Sequence, residues 1–221
     1  MATTENVQLL ISQARTGNEL ALGQLLESYN SYLTLLARVQ IGRRVQGKVD
    51  AGDIVQETFL EAHRQFTNFR GGSEGELTAW LRRILAGQLA LTLRRYLGTK
   101  GRDINLERQL GADLDHSTHA MDGGLIASQS TPSQHVARRE QAVILADALS
   151  NLPEDYREVI VLRHLEALPF AQVAERMGRS EDSVQKLWVR SLASLRRTLG
   201  GTSLASGMGV DGGDGNAGGA Q

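Results

Sequence analysis

The sequence predicts an all-α fold: two small helical domains joined by a flexible linker, the second containing a helix-turn-helix. Three observations carry this. Apolar residues recur at steps of three and four along most of the chain, no segment alternates convincingly with the period of two that a strand requires, and the helical pattern lapses once, between Gly98 and about Gln134. The first domain then spans residues 1–102, the linker 103–135 and the second domain 136–199, with a Gly-rich tail over 200–221.

Element by element, Leu22, Leu25, Leu26, Tyr29, Leu33, Leu36 and Gln40 lay one stripe down a single predicted helix. Val55, Phe59, Ala62, Phe66 and Phe69 make a second stripe, with Asp53 as the expected N-cap and Gln56 as its capping-box partner. A third helix is expected from about Glu76 to Tyr96, with Leu77, Trp80, Leu81, Ile84, Leu85, Leu89 and Leu93 inward and Arg83 and Arg94 on one face. The stretch that follows, rich in Gly, Ser, Thr, Asp and His, has the composition of a mobile connector. Periodicity resumes at Val136 and runs through Val143, Ala146 and Leu149 to Asn151-Leu152-Pro153, where proline ends one helix and suits the first turn of the next. Nine of the last 22 residues are Gly, so the tail is expected not to order itself.

Composition narrows the function. No apolar run is long enough for a membrane span, no secretory signal opens the chain, and there is no Cys, so disulfides, thiolate metal sites and a cysteine nucleophile are excluded. A cytoplasmic protein is compatible with this. Net charge is −1, but the 21 Arg and 3 Lys are unevenly placed. Arg82, Arg83, Arg94, Arg95, Lys100 and Arg102 follow one another without an intervening acid, as do Lys186, Arg190, Arg196 and Arg197. Clustered Arg suits phosphate, although a solvated helix face paired with acids elsewhere reads the same way in either run alone.

Residues 169–197, PFAQVAERMGRSEDSVQKLWVRSLASLRR, have the form of a helix-turn-helix. Ala174 is the small residue at the helix crossing, Gly178 the turn residue tolerant of positive φ, and Val184 the anchor of the second helix. Ser180 is the expected cap, and Phe170, Val173, Leu187 and Trp188 complete the packing. Placed in a major groove, the second helix would offer Asp182, Ser183, Gln185 and Lys186 to base edges and Arg190, Arg196 and Arg197 to phosphates. An ordinary helical hairpin is the bland alternative.

Residues 53–60, DIVQETFL, then TAWLRRIL, then the connector, then the block from Asn151 to Arg197 together resemble a bacterial RNA polymerase sigma factor of the sigma-70 family, of the extracytoplasmic-function (ECF) type. The resemblance implies a first domain (region 2) that grips the polymerase clamp coiled coil through Asp53, Gln56 and Glu57 and recognises and opens the −10 promoter element. There the loop 68–73, with Asn68, Phe69 and Arg70, would hold a flipped base, and Arg82, Arg83, Arg94 and Arg95 the adjoining backbone. It implies a second domain (region 4) that reads the −35 element and contacts the polymerase flap. The partners implied are core RNA polymerase, promoter DNA and an anti-sigma factor, with no direct membrane insertion. The chain departs from the family at Ala86-Gly87-Gln88 and Leu91, which puts the −10 sequence in doubt.

No catalytic constellation is found, and no enzyme activity, cofactor or metal is expected. The GGSEGE stretch lacks the lysine of a phosphate-binding loop, and His116 and His119, near Asp113 and Asp115, sit in the connector without a second shell. His63 and His164 read as helix-face or core-margin residues. Two other function classes compete: an autonomous helix-turn-helix regulator with an N-terminal helical sensing or dimerisation domain, and a helical adaptor for acidic proteins.

Overall fold

The computed structural model describes residues 4–44, 49–97, 104–124 and 134–207. Ten α-helices run through them: α1 (Thr4–Arg15), α2 (Glu19–Glu27), α3 (Asn30–Arg44), α4 (Ala51–Gln65), α5 (Glu74–Leu97), α6 (Ile104–Gly124), α7 (Gln134–Ser150), α8 (Glu154–Ile160), α9 (Phe170–Met177) and α10 (Glu181–Gly207). A 3₁₀ turn, Phe66–Asn68, extends α4, and a π-helical turn, Val161–Leu165, extends α8. No strand occurs among the described residues, and the fold is all-α as expected.

The stripe from Leu22 to Gln40 belongs to two helices rather than one. Asn18 caps α2 by accepting from the Ala21 amide at 3.0 Å. The chain then tightens, with the Tyr29 amide donating to Leu26 at 3.0 Å and the Ser28 hydroxyl to Leu25 at 2.7 Å. Leu25, Leu33 and Leu36 all reach full burial across this break. A second correction concerns α4. Its cap is Asp50, whose carboxylate accepts from the Gly52 amide at 2.7 Å, whereas Asp53 lies in the first turn, where its charge suits the helix N-terminus. Helix α5 buries Leu77, Leu81, Leu85, Leu89 and Leu93 and forms the spine of the first domain.

Where a connector without regular structure is expected, the chain forms α6. Leu106, Leu110 and Leu114 step by four, and the last two are fully buried against α5 and α3. Thr118 Oγ1 lies 3.0 Å from Tyr32 Oη, and Arg82 donates from Nε to Asp115 at 3.0 Å. These contacts compensate for the weak helix propensity of Gly, Ser, Thr and Asp in this segment. The other end of the chain also exceeds expectation: α10 continues through Gly200 and Gly201 to Gly207, since each turn added to a formed helix escapes the nucleation cost. The rest of the expected tail, 208–221, and the linker residues 103 and 125–133 lie outside the described residues, as do Lys100 and Arg102.

The two helical units lie against each other. Helix α7 buries Ala142, Leu145, Ala146 and Leu149 and meets α3, α5 and α6 on one side and α10 on the other, so one apolar core runs through both halves. A small cavity of about 140 Å³ remains on the seam between α3 and α7, and Ser31 and Ser150 face each other there at 3.4 Å between hydroxyl oxygens.

Candidate nucleic-acid interface

The helix-turn-helix is built as its residue types require. Helix α9 ends at Gly178, which takes the left-handed conformation at φ 61°, and the Arg179 amide closes the turn onto Ala174 at 3.0 Å. Ser180 then caps α10, accepting from the Ser183 amide at 3.3 Å. Val173 and Val184 are fully buried between the helices, with Ala174 and Leu187 beside them. Trp188 is a packing residue: it meets Phe170 edge-on at 5.5 Å and donates from its indole nitrogen to His164 Nε2 at 2.9 Å. Burial, then the nearby Arg163 charge, holds the His164 imidazole below its ordinary pKa, so it stays neutral and can accept that bond.

This scaffold turns Glu181, Asp182, Gln185, Lys186, Arg190, Arg196 and Arg197 outward, with Ser183 half-buried. Four of them are held in two local pairs. Lys186 pairs with Asp182 at 2.7 Å, and the Gln185 amide reaches Glu181 at 3.4 Å. The Lys186–Asp182 pair is 63% and 74% exposed, and such pairs are worth about 0–1 kcal/mol, so it holds the two side chains only weakly.

In the first domain, the loop between the 3₁₀ turn and α5 rests on three rings. Phe66, Phe69 and Trp80 pack with centroids 5.0 to 6.1 Å apart. Asn68 and Arg70 are exposed, but Phe69 is only 7% exposed. Its ring is consumed by the cluster and offers no open face to a base, because burying it stabilises the loop more than solvent exposure would. At the far end of the loop Ser73 and Glu76 form a full capping box. The Glu76 carboxylate accepts from the Gly72 amide (2.9 Å), the Ser73 amide (3.0 Å) and the Ser73 hydroxyl (2.8 Å), while its own amide donates back to Ser73 Oγ at 3.3 Å. The Ser73 hydroxyl, followed by the two amides, holds this carboxyl below the usual range.

Of the four arginines expected along the strand path, Arg83 and Arg95 are exposed, and Arg94 is half-buried with Nε donating to the Ala90 carbonyl at 3.0 Å. Arg82 is placed elsewhere. Its side chain is 12% exposed and bridges α5 to Asp115 of α6, with a further bond to Tyr32 Oη at 3.2 Å. Burial works against its charge, but Tyr32 and Asp115 outweigh that, and its pKa moves up. With all this engaged, Arg82 is a tie between helices in this structure rather than an open cation. On α4, Asp53, Gln56 and Glu57 share an exposed face opposite Ile54, Val55 and Ala62.

Two residues that hold the loop 68–73, Glu76 and Arg15, are not among the expected site residues. Glu76 was signalled by its S-x-x-E spacing from Ser73. Arg15 had no local signal, since its bond to the Gly71 carbonyl spans 56 residues. No group of three or more metal-ligating side chains occurs among the described residues, and no helix among them is long and apolar enough to cross a membrane.

A helix-turn-helix with an outward cationic helix, beside a second helical unit with its own arginine-bearing face, defines a DNA-binding protein of the all-α class. The Sigma-70 region 2 family model matches residues 29–97 and the Sigma-70 region 4 model residues 142–195. The chain is 31% identical over 180 residues to the ECF RNA polymerase sigma-E factor of Haemophilus influenzae, covering 80% of this chain and 86% of that one. It is 30% identical over 172 residues to the sigma-E factor of Escherichia coli K12, covering 77% and 82%. Among solved structures it is similar to the RsbN-BldN complex, at 26% identity, 85% and 97% coverage and a TM-score of 0.29, and to CnrH in complex with the cytosolic domain of CnrY, at 23% identity, 91% and 98% coverage and a TM-score of 0.31. The chain belongs to the ECF sigma factors of the sigma-70 family and is an RNA polymerase sigma factor acting in transcription initiation. The autonomous-regulator alternative is not favoured.

Proposed function

We propose the following division of labour for this sigma factor, acting without chemistry of its own in the cytoplasm. The N-terminal half of α10 reads the −35 element, with Gln185 and Lys186 at base edges and Arg190, Arg196 and Arg197 on phosphates. The loop 68–73 receives an unpaired base of the −10 element through Asn68 and Arg70, with Phe69 as its anchor. Arg83, Arg94 and Arg95 hold the neighbouring backbone. Strand opening needs no nucleotide hydrolysis, because contacts made only to the unpaired strand offset the few kcal/mol lost on unstacking each base. The exposed acidic face of α4, at Asp53, Gln56 and Glu57, meets the clamp coiled coil, and the second domain meets the flap. An anti-sigma factor covering these faces would keep the protein idle.

The observation that carries this reading is the outward set on α10, Gln185, Lys186 and Arg190, held on a helix whose opposite side is locked by Val184, Leu187 and Trp188. Reconstitution tests it. Core polymerase plus the purified chain should initiate at promoters mapped by sequencing RNA after overexpression, and the chain without core should not bind them tightly. The double change Asp53→Ala, Glu57→Ala should lower affinity for core. Specific footprinting by the chain alone, with no initiation in the presence of core, would overturn the reading.

A further inference from the structure

We infer that Arg15, in the last turn of α1, is a positioning residue for the −10 loop, working with Glu76 to fix the pose in which Asn68 and Arg70 meet the unpaired base. The inference rests on the reading of loop 68–73 given above. Arg15 precedes the segment matched by the region 2 family model, which begins at residue 29.

Helix α1 is held by Val7, Leu10, Ile11 and Ala14, all buried, and Arg15 is exposed. Nothing in the packing of α1 requires that arginine to point anywhere. Yet its guanidinium donates from Nη2 to the Gly71 carbonyl, 56 residues away in the chain, and lies 5.8 Å from the centre of the Phe69 ring. The same fork therefore touches both ends of the short segment that follows Asn68. Glu76 grips that segment from the other side through Gly72 and Ser73.

Gly71 shows how closely the loop is pinned. A Cβ there would lie 2.6 Å from the Cβ of Glu76 and 2.6 Å from Phe69 Cζ, so no other residue fits between the two anchors. A free loop would have to lose backbone freedom on binding a base, at about 1–2 kcal/mol per residue ordered. Tethers made before DNA arrives remove part of that cost and fix the angle at which Asn68 and Arg70 present their polar groups. An exposed arginine contact adds little to global stability. Its effect is expected in base discrimination instead.

The test measures holoenzyme binding to fluorescent single-stranded non-template oligonucleotides in which each base of a mapped −10 element is varied. Core affinity and thermal midpoint are measured in parallel. Arg15→Ala should reduce the ratio between the best and worst base at the affected position about tenfold, with core affinity and thermal midpoint unchanged. Arg15→Gln, which keeps a donor for the Gly71 carbonyl but no charge, should recover part of that ratio. If Arg15→Lys restores binding and Arg15→Gln does not, Arg15 is a phosphate contact and the inference falls. If discrimination, core affinity and thermal midpoint decline together, the role is merely structural and it falls likewise. If Asn68→Ala flattens discrimination while Arg15→Ala leaves it intact, the loop reading stands without Arg15. If neither variant changes the base preference, the loop reading itself is overturned.

Discussion

At the scale of single residues, the bond from Trp188 to His164 ties the chemistry of one imidazole to the integrity of α10, the helix proposed to read the −35 element. Nε2 accepts the indole proton at 2.9 Å, so it must be unprotonated, and burial followed by Arg163 keeps it so below the ordinary histidine value of 6.5. The folded-state pKa is therefore the lower one. The unfolded chain takes up a proton first as pH falls, and stability declines with it. The His164 contribution is complete above pH 6.5, begins to fade below it, and is gone once the pH has passed through the folded-state pKa. Thermal midpoints measured between about pH 5 and 8 should show this loss in the parent chain and a smaller one in His164→Gln. Equal slopes in the two proteins would remove His164 as the cause.

At the scale of elements, α6 and α10 make opposite predictions. Helix α6 owes its existence to docking, so truncating Leu110, which is fully buried, should destabilise the chain by about 2–4 kcal/mol in denaturant unfolding. Helix α10 carries its outward residues on a frame that does not depend on them. Arg190→Ala should leave stability within about 0.5 kcal/mol of the parent. It should weaken promoter binding across sequences and make the salt dependence shallower by about one unit of slope. Gln185→Ala should instead cost about 1–3 kcal/mol at one base position and little elsewhere. Quantitative binding to a set of −35 variants distinguishes the two, and a uniform loss for Gln185→Ala would remove its base-reading role.

At the scale of the whole molecule, the seam between α3 and α7 conflicts with the reach that the proposed promoter contacts demand. The −10 and −35 elements lie about 25 base pairs apart, or roughly 85 Å at 3.4 Å per pair. A compact chain of 221 residues has a radius of gyration of about 17 Å. Under the proposed division of labour the two units part before both elements are engaged, and the seam, with its small cavity and serine pair, is the place to part. Ser31→Cys with Ser150→Cys would introduce the only thiols, at a site where the hydroxyl oxygens are 3.4 Å apart. Oxidation should then abolish promoter-dependent initiation and reduction should restore it. Full activity in the oxidised protein would show that the seam need not open.

Much of this protein was legible before its fold was known. The positions of α4, α5, α9 and α10, the left-handed Gly178, the Ser180 cap and the outward face of α10 follow from rules that act within a few residues: helical period, capping geometry and the sterics of positive φ. The family resemblance was carried by the same local blocks. The sequence could not say that Leu22 to Gln40 breaks into two helices, nor that Arg82 is a tie. Nor could it say that Arg15 reaches a loop 56 residues away. Those outcomes depend on which neighbour comes within reach once the chain has collapsed. A short apolar step such as Leu106, Leu110, Leu114 becomes a helix only when α5 and α3 supply the surface to bury it. Local chemistry determined the parts and their kind; long-range packing decided which charged groups remained free to meet DNA.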